Sequence, residues 1–125
     1  MAHILLAEDE DGLRGLVARA LTQDGHAVEA APDGAAALDK LSDHPGKFEL
    51  LLTDIRMPVM DGIALALAAA RDQPDLTILL MTGFADQRER AHGLDALIHD
   101  VITKPFSVGD IKLAVREALA ARARR

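Results

Sequence analysis

The chain has 125 residues, half of them hydrophobic, and a formal net charge of −6. That length fits one domain with a sizeable core, and the acidic balance argues against a nucleic-acid partner, which wants a basic face. There is no cysteine, tryptophan or tyrosine, which excludes a disulfide frame, a thiolate metal site and a cysteine nucleophile and predicts a core of Leu, Ile, Val and Ala.

The apolar run His3 to Ala7 predicts a buried parallel strand. It is too short for a signal peptide or a membrane span, so a cytoplasmic protein with no membrane partner is expected. Gly12 to Asp24 follows with Leu13, Leu16, Val17, Ala20 and Leu21 at helical spacing, and Gly25 is the expected stop. His26 to Ala30 reads as a weaker strand. Pro32-Asp33-Gly34 is a turn or a helix start, Ala35 to Leu41 a second helix, and His44-Pro45-Gly46 its break. Phe48 to Thr53 is a third strand, apolar on both faces. Gly62 to Arg71 is helical and Pro74 ends it. Thr77 to Met81 is a fourth strand, Asp86 to Leu97 a helix weakened by Gly93, and Val101 to Thr103 a short fifth strand. Ser107 is the expected N-cap of a last helix to about Ala121, with Asp110 as a partial capping box. Residues 1–121 therefore form one unit, and 122–125 a short basic tail, read as a solvated helix end that complements the helix dipole.

Five strands alternating with five helices predict an α/β fold, a doubly wound parallel sheet covered on both faces. In such sheets the site lies at the carboxyl ends of the strands. The first strand runs into Glu8-Asp9-Glu10-Asp11, the third into Asp54, the fourth into Thr82-Gly83 and the fifth into Lys104-Pro105. Each of these alone has a bland explanation: a solvated loop, an N-cap, a turn, a surface lysine. Together, on one edge, they crowd several carboxylates with one ammonium and one hydroxyl. Such carboxylates repel. A hard divalent cation relieves the repulsion, and all-oxygen donors favour Mg²⁺ with several waters retained. Mg²⁺ beside one exposed aspartate, with a lysine and a threonine, is a phosphoryl-transfer constellation in which the aspartate is the nucleophile.

From ILLAEDED through LLTDIRMPVMDG and MTGFA to TKPF, nearly the whole chain resembles the receiver domain of two-component response regulators. That resemblance implies a (βα)5, flavodoxin-like (CheY-like) fold with strand order 2-1-3-4-5. It implies Asp54 as phosphoacceptor, and Mg²⁺ held by Asp9 and Asp54 through carboxylates, by Glu8 through a water and by the backbone carbonyl of Arg56. Thr82 would hydrogen-bond the phosphoryl group, Lys104 would ion-pair with it, and Lys104-Pro105 would be cis. Pro58 fixes φ in the loop after Asp54, Gly62 takes up conformations that other residues resist, and Gly83 leaves the pocket open. The family's switch aromatic, three residues before the lysine, is replaced by Val101, so a threonine–aromatic relay is not expected. The signal is expected instead to spread through the Gly83-Phe84 loop and the Gly93 helix.

Several words, among them AED, DIxMPxMDGI and TGFA, are similar to the CpdR-type single-domain regulators of alphaproteobacteria. That subgroup implies a stand-alone regulator without an output domain, fed by a histidine kinase or phosphotransferase, that primes the AAA+ protease ClpXP when unphosphorylated. The docking face would lie around Phe84 to Arg116, and the Arg-rich ending departs from the Ala-Ala that exposes a subgroup member to the protease. Two alternatives stand beside it: a phosphate shuttle or sink, and a phosphatase of the haloacid dehalogenase type. The latter usually has a second aspartate two residues after the nucleophile, where this chain has Arg56. On the receiver reading the chain is not a turnover enzyme but a switch with slow autodephosphorylation.

Overall fold

The computed structural model describes residues 2–83, 89–91 and 93–124. Five strands, β1 (His3–Ala7), β2 (Ala27–Ala31), β3 (Leu50–Asp54), β4 (Thr77–Thr82) and β5 (Asp100–Thr103), form one sheet in the order β2-β1-β3-β4-β5. All four neighbouring pairs are parallel. Helices α1 (Asp11–Gln23), α2 (Gly34–Asp43), α3 (Gly62–Asp72) and α4 (Val108–Ala123) supply the crossovers and the closing element. The expected α/β doubly wound architecture and strand order are those observed.

The period-2 alternation of strand side chains splits the core in two. Leu5, Ala7, Leu51, Ile78 and Leu80 face Ala37 and Leu41 of α2 and Ile63, Leu65, Ala66 and Ala69 of α3. Ile4, Leu6, Leu50, Leu52, Leu79 and Met81 face Val17 and Leu21 of α1 and Ile111, Val115 and Ala118 of α4. Burying each of these leucines and isoleucines contributes roughly 1.5–3 kcal/mol, which explains why β1, β3 and β4 read as unbroken apolar runs. Val101 is half-buried and packs against the α2–α3 side.

Helix ends follow local chemistry. Asp33 and Asp61 cap α2 and α3, each accepting an N–H three residues on at 2.8 Å, so Pro32-Asp33-Gly34 is a helix start. Ser107 and Asp110 form the full capping box of α4. Helix α1 closes at Gly25, whose φ is +95°. The Gly25 N–H reaches the Thr22 carbonyl and the His26 N–H that of Leu21, a Schellman arrangement.

The helix expected from Asp86 to Leu97 is described only in part, and within that part 93–97 depart from it. Residues 84–88 and 92 lie outside the described residues, 89–91 are helical, and 93–97 run in turns. Leu94 and Leu97 bond carbonyls three residues back. Gly93 penalises helix by about 1 kcal/mol, and the tighter turns deliver the chain to Ile98, which is buried. Helix α4 runs past Ala121 to take in Arg122, whose guanidinium donates to the Asp75 carbonyl. Among the described residues no helix is long and apolar enough to cross a membrane.

Candidate functional site

The strand register assembles the site. Ala7 is level with Thr53, so Glu8 comes level with Asp54; Asp54 is level with Met81, and Thr82 with Thr103. Lys104 follows directly, its N–H donating to the Thr82 carbonyl at 2.8 Å. The Lys104-Pro105 bond is cis, as expected.

Ligand oxygens of Glu8, Asp9 and Asp54 lie within 4.8 Å of one another. Lys104 Nζ donates to Asp54 Oδ2 at 3.0 Å and to Glu8 Oε1 at 3.1 Å. Glu8 is wholly buried, while Asp9 is exposed. Asp54 is only 6% exposed, which corrects the expectation of an aspartate facing solvent: β3 carries it to its last residue, and the Lys104 ammonium replaces the lost hydration. Burial pushes the Glu8 carboxyl up to about 7; the Glu10 N–H opposes this, the Asp54 charge adds to it, and Lys104 pulls it down again. Burial alone would lower Lys104, but the hydrogen bond and charge of Asp54, with Glu8, hold its ammonium above the usual range. Three carboxylates against one ammonium leave a local charge of −2 when all are ionised. With only oxygen donors, this pocket suits a hard divalent cation. Thr82 is buried at the end of β4, and Arg56 is exposed two residues past Asp54.

The loop after Asp54 is clamped at both ends. Ile55 and Met57 are buried, and the Gly62 N–H donates to the Ile55 carbonyl at 2.8 Å. A Cβ at Gly62 would come within 2.8 Å of the Asp54 carbonyl carbon and closer still to its oxygen. Glycine is therefore needed there for close approach; the unusual backbone conformation expected of it falls instead on Val59, at φ +70°. The Met60 N–H donates to the Pro58 carbonyl at 2.8 Å, closing the strained positive-φ γ-turn across Val59. At Gly83, among the described residues, a Cβ would meet Lys104 Cβ at 3.6 Å, an ordinary contact, so nothing there squeezes the backbone as at Gly62.

Residues that the sequence did not single out also build the site. Glu10 caps α1 through Gly12 and Leu13 N–H. Arg14 reaches back to the Glu8 carbonyl at 3.0 Å. The Thr53 hydroxyl donates to the Asp54 carbonyl at 2.9 Å. A capping signal at Glu10 was legible in principle; the other two depend on how the turn and strand fold.

A family model described as the response regulator receiver domain matches residues 4–116. The response regulator receiver protein CpdR of Brucella abortus is 40% identical over 121 residues, 97% of this chain and 99% of that protein. Other curated relatives are about twice as long, and the chain spans about half of each. A receiver domain protein from Clostridium thermocellum superposes with a TM-score of 0.89 at 20% identity, over 98% of each chain. The response regulator TrrA of Thermotoga maritima, solved in complex with Mg²⁺-BeF, gives a TM-score of 0.83 at 26% identity, over 94% of this chain and 99% of that one.

Proposed function

The chain belongs to the response regulator receiver family, and from that premise we propose that it is a phosphoacceptor switch acting as a stand-alone regulator of the CpdR kind. One observation carries the reading: Glu8, Asp9 and Asp54 oxygens gather within 4.8 Å, with the Lys104 ammonium 3.0 Å from Asp54. The pocket fits a divalent cation by donor chemistry and charge. Asp9 and Asp54 would hold Mg²⁺ through carboxylates, Glu8 through a water, and Arg56 through its backbone carbonyl. Bound there, the ion would neutralise charge on phosphoryl oxygens; the Mg²⁺-BeF complex of TrrA supports the choice of metal.

The chain's own residues do the rest. An Asp54 carboxylate oxygen attacks the phosphorus of a phosphohistidine on a kinase or phosphotransferase. The P–N bond breaks as the acyl-phosphate P–O bond forms, and the imidazole leaves with a proton from solvent. Lys104, already held on Asp54 and Glu8, transfers its ion pair to the phosphoryl oxygens, and Thr82 donates its hydroxyl to them. The product is a switch state with slow autodephosphorylation rather than enzymatic turnover. Output is protein docking in the cytoplasm, with a AAA+ protease unfoldase as the partner, an assignment supported by the full-length match to CpdR.

Labelling by acetyl phosphate tests the first step. It should require Mg²⁺ and vanish in Asp54→Ala; labelling that persists in the variant removes Asp54 as nucleophile. Affinity capture tests the second, comparing Asp54→Ala with phosphorylated wild type. Recovery of a AAA+ unfoldase supports the adaptor role, and recovery of only a kinase or phosphotransferase turns the reading to a phosphate shuttle.

A further inference from the structure

The acidic turn between β1 and α1 is knitted by its own side chains. The Glu8 carboxylate accepts from the Glu10 N–H at 3.1 Å. The Glu10 carboxylate accepts from the Gly12 and Leu13 N–H groups at 2.9 and 2.8 Å. Asp9 sits among these exposed, and among the described residues its side chain has no hydrogen-bond or ion-pair partner.

Arg14 closes the knot. It stands one turn into α1 and folds back, Nη1 donating to the Glu8 carbonyl at 3.0 Å and Nη2 to Asp11 Oδ1 at 2.5 Å. Its own N–H donates to the Glu10 carbonyl at 2.9 Å. One planar guanidinium thus bridges the first and last residues of the turn, with Asp9 between them. Asp11 is 90% exposed and needs no partner; Arg14 is only 23% exposed, held down over the turn by the contact with the Glu8 carbonyl.

The geometry points to Arg14 as a positioning residue: it holds the Glu8–Asp11 turn so that the unpartnered Asp9 carboxylate stays within reach of Glu8 and Asp54, and thereby sets divalent-cation affinity without touching the ion. This rests on the metal reading of the pocket given above. The sign of the effect separates positioning from charge. As a charge alone, Arg14 repels a cation, and removing it would tighten binding. As a brace, its removal lets the turn relax and weakens binding, by about tenfold or more, as for other groups that orient metal ligands.

The test is a Mg²⁺ titration followed by amide NMR, since the chain has no Trp or Tyr to report by fluorescence. Arg14→Ala should raise the Mg²⁺ dissociation constant about tenfold. Arg14→Lys keeps the charge but loses the two-pronged fork and should also bind more weakly; it carries the test if Arg14→Ala fails to fold. Arg19→Ala removes the same charge from the same helix and should leave affinity unchanged or slightly tighter. Thermal melts without Mg²⁺ confirm that each variant is folded. Unchanged or tighter binding in folded Arg14→Ala or Arg14→Lys overturns the inference. Asp9→Asn separates it from the metal reading: if that variant binds Mg²⁺ as wild type does, the metal site itself is wrong, whatever Arg14 does.

Discussion

Glu8 makes the electrostatics of the pocket measurable as stability. Its carboxyl is held by burial at about 7 against an ordinary value of 4.5. A group whose folded pKa is raised contributes its full stability below the unfolded value and loses it as pH rises through the folded one. In metal-free protein, Glu8 therefore withdraws stability between pH 4.5 and about 7, on the order of 3 kcal/mol at about 1.4 kcal/mol per pH unit. His26 acts in the opposite direction, because burial holds its imidazole below the usual 6.5 and stability is lost as pH falls. His26 is common to wild type and Glu8→Gln, so its contribution cancels in the difference between the two. Urea unfolding followed by circular dichroism in EDTA, from about pH 5 to about pH 8, should show Glu8→Gln gaining on the order of 3 kcal/mol on wild type across that range. Saturating Mg²⁺ should flatten the wild-type dependence, since an ion that binds the folded state and favours ionised Glu8 adds stability by linkage. Parallel curves for the two proteins in EDTA would refute the reasoning, because the carboxyl would then titrate alike folded and unfolded.

The loop after Asp54 yields two further expectations. Val59 is 85% exposed with φ +70°, so Val59→Gly loses little packing, relieves strain of about 1–2 kcal/mol and adds about 0.5–1 kcal/mol of unfolded-state entropy; a net stabilisation of up to about 1 kcal/mol should appear in urea melts, and a destabilised variant would contradict the strain. Gly62→Ala drives a Cβ into the Asp54 carbonyl, which is backbone and cannot yield cheaply. That variant should lose about 1–3 kcal/mol and label with acetyl phosphate more slowly than wild type, whereas Gly83→Ala, which among the described residues makes an ordinary contact with Lys104 Cβ, should match wild type in stability.

Strand positions were legible because β1, β3 and β4 are buried on both faces and so carry apolar residues at nearly every position. The bounds of β1 matched, while those of β3 and β4 shifted by a residue or two, as hydrogen bonds rather than hydropathy decide where a strand stops. Thr82 and Asp54 turned out to be the last residues of β4 and β3 rather than the first of their loops. The gathering of Glu8, Asp9, Asp54 and Lys104 on one edge was legible too, since a parallel sheet puts every strand's carboxyl end on the same side. What a linear reading could not supply was depth. The partner that allows Asp54 to sit at 6% exposure is 50 residues away, and the pair between Glu8 and Lys104 spans 96. The Arg14 contact was hidden for a different reason: its acceptor is a backbone carbonyl, which has no letter in a sequence.

Val59 is a β-branched residue held at φ +70°. Nothing local favours a β-branched residue at positive φ, and the sequence offers Gly62 as the obvious place for unusual backbone. The strain sits on Val59 because its neighbours are already committed: Ile55 and Met57 to the core, Pro58 to its fixed φ, and Gly62 to close packing on the Asp54 carbonyl. Local rules are broken together on one edge of the sheet, by two buried carboxylates, a squeezed glycine and a strained valine. Propensity, capping and packing agree in the Schellman close of α1, the capping box of α4 and the aliphatic core. Such concentrated disagreement is what a site held ready for a ligand looks like.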